Sequence, residues 1–281
     1  MPSETIINRS AKDIPFGEAR IGRFNYMGLW TLCVKEVRRF MKVWQQTMAA
    51  PAMTTLLFMV IFTLALRGRG EMIEGMSYAT FLAPGLMVMA ILQNAFGNTS
   101  SSMIISKVQG NIVDTLMPPL SAGELTIGYM VGGMVRGILV GFSVLVAFIG
   151  LSFFTDLTIS IHSVMPIIYF GLVGSILLSL LGLLTGIWAE KFDHSSTITN
   201  FIVVPLSLLS GTFYTVDRLP ESWQIMSTAN PFYYIIDGFR YGFLGHHDSD
   251  LTIGVAYSLL LTAAMWIFVH RVLKSGYRLK A

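Results

Sequence analysis

The side chains in this sequence that could do chemistry are few, and their spacing excludes more than it offers. No Gly-Lys dipeptide occurs in the 281 residues, so the chain lacks the G-x-x-x-x-G-K-[ST] loop whose backbone N–H groups cradle nucleotide phosphates. His-Glu-x-x-His is absent as well. No pair of carboxylates faces across an apolar stretch, which leaves an intramembrane hydrolase without a catalytic group. The densest set of metal-ligating types is His246-His247-Asp248-Ser249-Asp250. Adjacent histidines in a polar turn are ordinarily solvated, and no metal site is assigned to them. Cys33 is the only cysteine, which excludes a disulfide within the chain.

Composition says what the rest of the chain is for. Apolar residues make up 53% and charged residues 12%, against roughly 25% charged in an ordinary soluble domain. So few charges cannot cover soluble domains without large exposed apolar patches, so the apolar surface must face lipid. The first twenty residues carry scattered charges and no apolar run, so no cleavable signal peptide is expected.

A bilayer core about 30 Å thick needs about 20 mostly apolar helical residues. Six stretches free of Asp, Glu, Lys and Arg come near or exceed this length: 43–66, 75–106, 137–155, 157–189, 195–216 and 251–269. The third is expected to start earlier, near Leu125, because Ser121-Ala122-Gly123-Glu124 has capping-box spacing just after Pro118-Pro119. Arg136 then sits about two turns below the bilayer centre and snorkels inward. With six spans both termini share a side, and that side collects fifteen of the nineteen Lys and Arg residues, leaving Arg67, Arg69, Arg218 and Arg240 opposite. The positive-inside rule then makes the termini cytoplasmic. The small net charge of +3 is topological, and no nucleic-acid partner is needed to explain it.

Ahead of the first span, Met27, Trp30, Val34, Val37, Met41 and Trp44 share one helical arc, and Lys35, Glu36, Arg38, Arg39 and Lys42 fall outside it. An amphipathic helix in the inner interface is expected, with tryptophans toward lipid and cations toward headgroups. Within the spans, small residues recur at packing spacing at Gly133, Gly137 and Gly141, and again at Gly171, Ser175 and Ser179. Polar stripes run through Asn94, Asn98, Ser101 and Ser102, and through Ser196, Asn200, Ser207 and Ser210. Either interhelical hydrogen bonding or the lining of a cavity accounts for them.

Four segments in order resemble the membrane-spanning subunits of ABC-2 type exporters. They are Lys35-Glu36-Val37-Arg38-Arg39-Phe40 with Ala50-Pro51; Ala83-Pro84-Gly85-Leu86; Asp114-Thr115-Leu116-Met117-Pro118-Pro119-Leu120-Ser121 with Glu124; and Leu219-Pro220 with Asn230-Pro231, Tyr234, Gly238, Arg240 and Gly245. The resemblance covers nearly the whole chain. It departs from the family in the third segment, where members often carry more charge than the single Asp114.

What the resemblance implies is an all-α integral membrane protein with six transmembrane helices, an N-terminal interfacial helix and short re-entrant external helices before the last span. A cytoplasmic tail (1–22), a transmembrane domain (23–272) and a second cytoplasmic tail (273–281) would follow. The implied activity is that of a non-catalytic permease in the bacterial inner membrane, a homodimer exporting a hydrophobic or amphipathic substrate. ATP and Mg would be bound by two copies of a partner ATPase, with no cofactor in this chain. Coupling to the ATPase would fall on Lys107, Asp114, Pro118, Pro119 and Glu124, with a second contact at Lys191 and Asp193. Asn94, Asn98, Asn200, Ser207 and Ser210 would line the translocation cavity. Asn230, Pro231, Tyr234, Asp237 and Arg240 would form the external gate, Asp237 and Arg240 pairing within a helix or across the dimer. An ion-coupled carrier or channel should instead show intramembrane charge and broken helices, and a non-transporting assembly factor is the third reading.

Overall fold

The computed structural model describes residues 24–65, 76–155, 157–216 and 219–279. The tail 1–22 and the cations Arg9, Lys12, Arg20, Arg23, Arg67, Arg69, Arg218 and Lys280 lie outside the described residues.

Among the described residues the chain is all helical. After α1 (Tyr26–Met41) come α2 (Gln45–Ala65), α3 (Tyr78–Val108), α4 (Ile112–Leu116), α5 (Ala122–Ser152) and α6 (Val164–Trp188). The chain continues as α7 (Phe192–Ile198), a π-helical turn Thr199–Val203 and α8 (Val204–Leu208). It ends with α9 (Glu221–Ala229), α10 (Pro231–Leu244) and α11 (Leu251–Ser275). Five helices, α2, α3, α5, α6 and α11, are long and apolar enough to cross a membrane. The remaining charge-free stretch, 195–216, is helical only as far as Leu208 and is interrupted by the π turn. Beyond it the backbone turns through Gly211, whose φ of 73° a side chain would strain.

Helix α3 is the central post. Of its most apolar window 83% is buried, against 17% for α2 and α11, whose apolar side chains form the outer surface. Small residues let the neighbours close on it. A Cβ at Gly182 of α6 would lie 2.3 Å from the carbonyl oxygen of Phe96, and one at Gly133 of α5 would lie 2.3 Å from Ser179 Oγ and 2.9 Å from the carbonyl of Ala95. Backbones meet at these points, as apolar helices do when dispersion rather than water expulsion joins them. The stripe Gly133, Gly137, Gly141 therefore packs α5 on α3.

The start of α5 follows the expected capping chemistry. Ser121 Oγ accepts from the Glu124 N–H at 3.3 Å, and Glu124 Oε2 accepts from the Ser121 N–H at 2.6 Å. The other carboxylate oxygen accepts from the N–H of Asn25, tying the start of α1 to the start of α5. From there α1 runs beside α5: a Cβ at Gly128 would strike Leu32 (2.4 Å) and one at Gly132 would strike Glu36 Cβ (2.6 Å). Between Asn25 and Glu36 the chain climbs about 16 Å along α1 while its contacts climb about 12 Å along α5, at 1.5 Å per residue. The helix thus leans against the bundle. Its outer arc is exposed as expected (Met27 77%, Trp30 69%, Trp44 54%). The opposite face differs from the sequence reading, because Glu36 and Arg39 turn into the protein rather than toward headgroups.

Candidate functional site

At the end of the bundle where α3 stops and α5 starts, the five-residue α4 bridges the two longest helices. Thr115 is its buried anchor and accepts from Lys35 Nζ at 3.0 Å. Asp114 is exposed, flanked by exposed apolar side chains, Val113 at 53% and Met117 at 78%. Pro119 offers its carbonyl to Asn25 Nδ2 at 3.3 Å, and Pro118 lines a cleft of about 300 Å³ between α1 and α4 together with Lys35 and Asp114. A push on α4 therefore reaches α1, α3 and α5 directly.

The other coupling residues named from sequence lie at the same end. Lys107 donates to the carbonyl of Ile187 at 2.7 Å, which fixes the end of α3 to the end of α6. Lys191 precedes α7, and Asp193 sits in its first turn, both exposed. Glu190 beside them pairs with Arg278 at 3.5 Å.

Glu124 binds more than a helix cap requires. Because both of its oxygens accept backbone N–H bonds, Gln in its place keeps one acceptor and sets an amide NH₂ against a backbone donor. Glu124→Gln is expected to lower stability by about 1–2 kcal/mol, read as a lower denaturation midpoint in detergent, rather than behaving as wild type. A midpoint equal to wild type would show that the Asn25 contact contributes nothing.

Further along the bundle the polar stripes divide. From Ala79 to Ser106, every α3 residue is buried except Met89, Gln93, Asn94, Gly97, Ser101 and Ile105. Their spacing of three to four makes one half-exposed lane down the central helix. Asn94 stands in it, donating to the Ala90 carbonyl and accepting from Arg136 Nη2 at 3.1 Å. Asn98 stands behind it, fully buried, accepting from Arg39 Nη2 at 2.9 Å, while the same nitrogen reaches the Asn98 carbonyl at 2.8 Å. Glu36 completes the cluster, bonded to Arg39 Nε at 3.3 Å and to Ser102 Oγ at 2.8 Å, with 0% of its surface exposed.

Asn200 is exposed on the π turn, whereas Ser207 and Ser210 are buried and donate to the backbone carbonyls of Val203 and Ser207. Among the described residues no hydrogen bond joins Asn200, Ser207 or Ser210 to Asn94 or Asn98.

Arg136 is fourteen residues from Ala122 in a 31-residue helix, about 21 Å from that end and close to the midpoint of the helix, and its guanidinium bonds Asn94. The burial of Glu36 was not foreseen from sequence. Its only local signal is the i, i+3 spacing to Arg39, and the Gly128-x-x-x-Gly132 spacing that admits α1 reads like any other packing stripe.

At the opposite end, Asn230 caps α10 by accepting from the Phe232 N–H at 3.0 Å, with Pro231 at the first position, where its missing donor costs nothing. Asn230 Nδ2 also donates to the Leu206 carbonyl at 2.7 Å, binding α10 to the end of α8. Tyr234 packs on Tyr233 and Tyr257. Asp237 and Arg240 do not pair with each other. Asp237 accepts from the N–H groups of Asp248 and Ser249, each at 2.9 Å, and from Ser249 Oγ at 2.6 Å, so it holds the turn before α11. In that turn Asp250 caps α11, and the Thr252 N–H at 2.8 Å holds its carboxyl below the usual carboxylate range. Arg240, 1% exposed, donates to the Gly211 carbonyl and stacks 4.1 Å from the Phe81 ring. Gly85 lets the Thr212 carbonyl approach α3, since a Cβ there would lie 2.9 Å away. The Ala83-Pro84-Gly85 motif is thus the landing place of the segment after α8.

With this arrangement in hand, comparison with known proteins is decisive. The ABC-2 type transporter family matches residues 27–244, from the first turn of α1 to the last residue of α10. The chain belongs to that family. It is 35% identical to the inner membrane transport permease YadH of Escherichia coli K12 over 256 residues, covering 91% of this chain and 98% of YadH. It is 24% identical to nodulation protein J of Rhizobium leguminosarum bv. viciae over 242 residues, covering 83% of this chain and 88% of that protein. The function is accordingly that of a transport permease of the ABC-2 type, a transmembrane subunit whose family as a whole works with an ATPase.

Proposed function

We propose that this chain is the permease half of an ATP-driven exporter of the bacterial inner membrane, acting as a homodimer with two copies of a separate ATPase and moving a hydrophobic or amphipathic substrate outward. The observation that carries the reading is the α4 bridge, a short exposed helix that ties together α1, α3 and α5 at one end of the bundle. That end carries most of the described cations and faces the cytoplasm by the positive-inside rule. Both termini then lie inside, the run from α7 through α8 serves as a sixth, shortened span, and α1 sits at the inner interface with its tryptophan arc in lipid. ATP and Mg belong to the partner.

Work enters as a difference in affinity of the ATPases for two permease conformations. The cleft between α1 and α4, with Asp114 and Pro118 on its rim and Met117 exposed next to it in sequence, receives the ATPase, and the region of Lys191 and Asp193 makes a second contact. The lane along α3, with Asn94 in it, faces the substrate path, to which the second copy and Asn200 contribute the other wall. At the far end α9 and α10 form a cap that seals the exit, with Arg240 holding the Gly211 turn closed from within one chain. An ion-coupled carrier is favoured by the intramembrane Arg136 alone, and no carboxylate among the described residues pairs with it to make a proton relay.

Charge reversal tests the coupling face. Asp114→Arg is expected to reduce substrate-stimulated ATPase activity of the reconstituted complex at least tenfold while membrane insertion and the melting midpoint stay within error of wild type, because the Asp114 side chain is exposed and makes no hydrogen bond among the described residues. Wild-type stimulation in both Asp114→Arg and Met117→Arg would remove α4 from the ATPase interface.

A further inference from the structure

The lane on α3 has an electrostatic peculiarity that membrane insertion alone does not explain. Arg136 lies near the middle of a membrane-crossing helix, donates one bond to Asn94, and has no carboxylate within ion-pair distance among the described residues. Its Nε is buried without a partner. On the same stretch of α3, Gln93 Nε2 and Asn98 Nδ2 are also buried and unpartnered. All three orphans are donors. One turn along α3, about 6 Å in axial distance, Asn98 accepts from the second guanidinium, Arg39, whose charge Glu36 shares. An unneutralised guanidinium and a surplus of donors at this depth are costly unless an acceptor-rich anion completes them.

We propose that Arg136, held by Asn94 with Arg39 one turn away, binds the single acidic group, a phosphate, sulfate or carboxylate, of an amphipathic molecule whose apolar part lies along the lane. The group must arrive on an apolar carrier, because a free anion would pay its full dehydration to reach mid-membrane depth. The lane suits such a carrier, since its polar centre at Gln93, Asn94 and Ser101 is flanked by Met89 and Ile105. Guanidinium serves better than ammonium here because its fixed fork meets two oxygens at once. The assignment rests on reading the lane as the substrate path and narrows the cargo of the permease to acidic amphiphiles.

The test is native mass spectrometry of the delipidated full-length chain, titrated with dioleoyl phosphatidic acid or dioleoyl phosphatidylcholine. Wild type is expected to prefer the phosphatidic acid at least tenfold, Arg136→Gln to lose that preference to within twofold, and Arg136→Lys to retain part of it. Equal binding of the two lipids by wild type would overturn the proposal, and so would a preference undiminished in Arg136→Gln. If Arg136→Gln fails to fold, wild type decides alone. Displacement of bound phosphatidic acid by dodecyl phosphate but not by the same concentration of inorganic phosphate supports an amphipathic ligand, and equal displacement by both overturns it. This binding needs no ATPase, so an intact preference in a complex that transports nothing would count against the permease reading and for the site.

Discussion

Removal of the Glu36 carboxylate is expected to be the most damaging single change in the bundle. Glu36→Ala leaves Arg39 half-buried against α3 with its carboxylate partner gone and Ser102 without its acceptor. Breaking a buried ion pair by deleting one partner costs about 3–5 kcal/mol when the survivor stays buried, and the 26% exposure of Arg39 puts this loss at the lower end of that range. The loss should fall where α1 leans on α5. The double variant Glu36→Ala/Arg39→Ala is then expected to recover a large part of the stability lost by Glu36→Ala alone, since no uncompensated charge remains. Thermal or urea midpoints of the four members of this cycle in detergent check the expectation. Additive losses would mean that the pair contributes no coupling, and a Glu36→Ala midpoint equal to wild type would mean that Glu36 reaches water.

The pair also has a consequence for motion. Because α1 is tied to α5 through Asn25 and Glu124, to α4 through Lys35 and Thr115, and to α3 through Arg39 and Asn98, a displacement at α4 cannot shear past α1 without breaking charge-assisted bonds. Stiff, discrete connections of this kind pass a movement along rather than absorbing it. In the proposed mechanism α1 and α4 move together as the ATPases close.

Much of the fold was legible because the bilayer imposes a simple code. Long runs without charge must be helices, since lipid offers backbone groups no partner. The start of α5 was written in Ser121 and Glu124, and that of α10 in Asn230 and Pro231, where capping is decided within three residues of sequence. The stretch 195–216 was less legible. Its lack of charge reads as a span, yet the π turn at Thr199–Val203 and the positive φ of Gly211 shorten its helix, and neither leaves a periodic trace.

The site was legible only in part, for a different reason. Asp237 and Arg240 stand three apart on α10, the spacing of a helical ion pair, but the turn at Asp248 and Ser249 and the carbonyl of Gly211 outcompete them for each other. Glu36 looked like one more solvated charge on an amphipathic helix. Its partner Ser102 is sixty-six positions away, and α1 comes close enough to α5 for them to meet because Gly132 has no side chain. Long-range satisfaction of buried polar groups is set by packing, and local pattern does not carry it.

In the proposed mechanism this chain supplies the path and the coupling face, and the hydrolysis belongs to the partner ATPase. That division of labour is tested most directly by ATP hydrolysis by the purified chain in proteoliposomes, alone and after co-reconstitution with its partner ATPase. The chain alone is expected to show no turnover above protein-free vesicles, as a chain without a phosphate-cradling loop should, and the complex to gain vanadate-sensitive hydrolysis that substrate modulates. Vanadate-sensitive turnover by the chain alone, in a preparation proven free of other ATPases, would contradict the account.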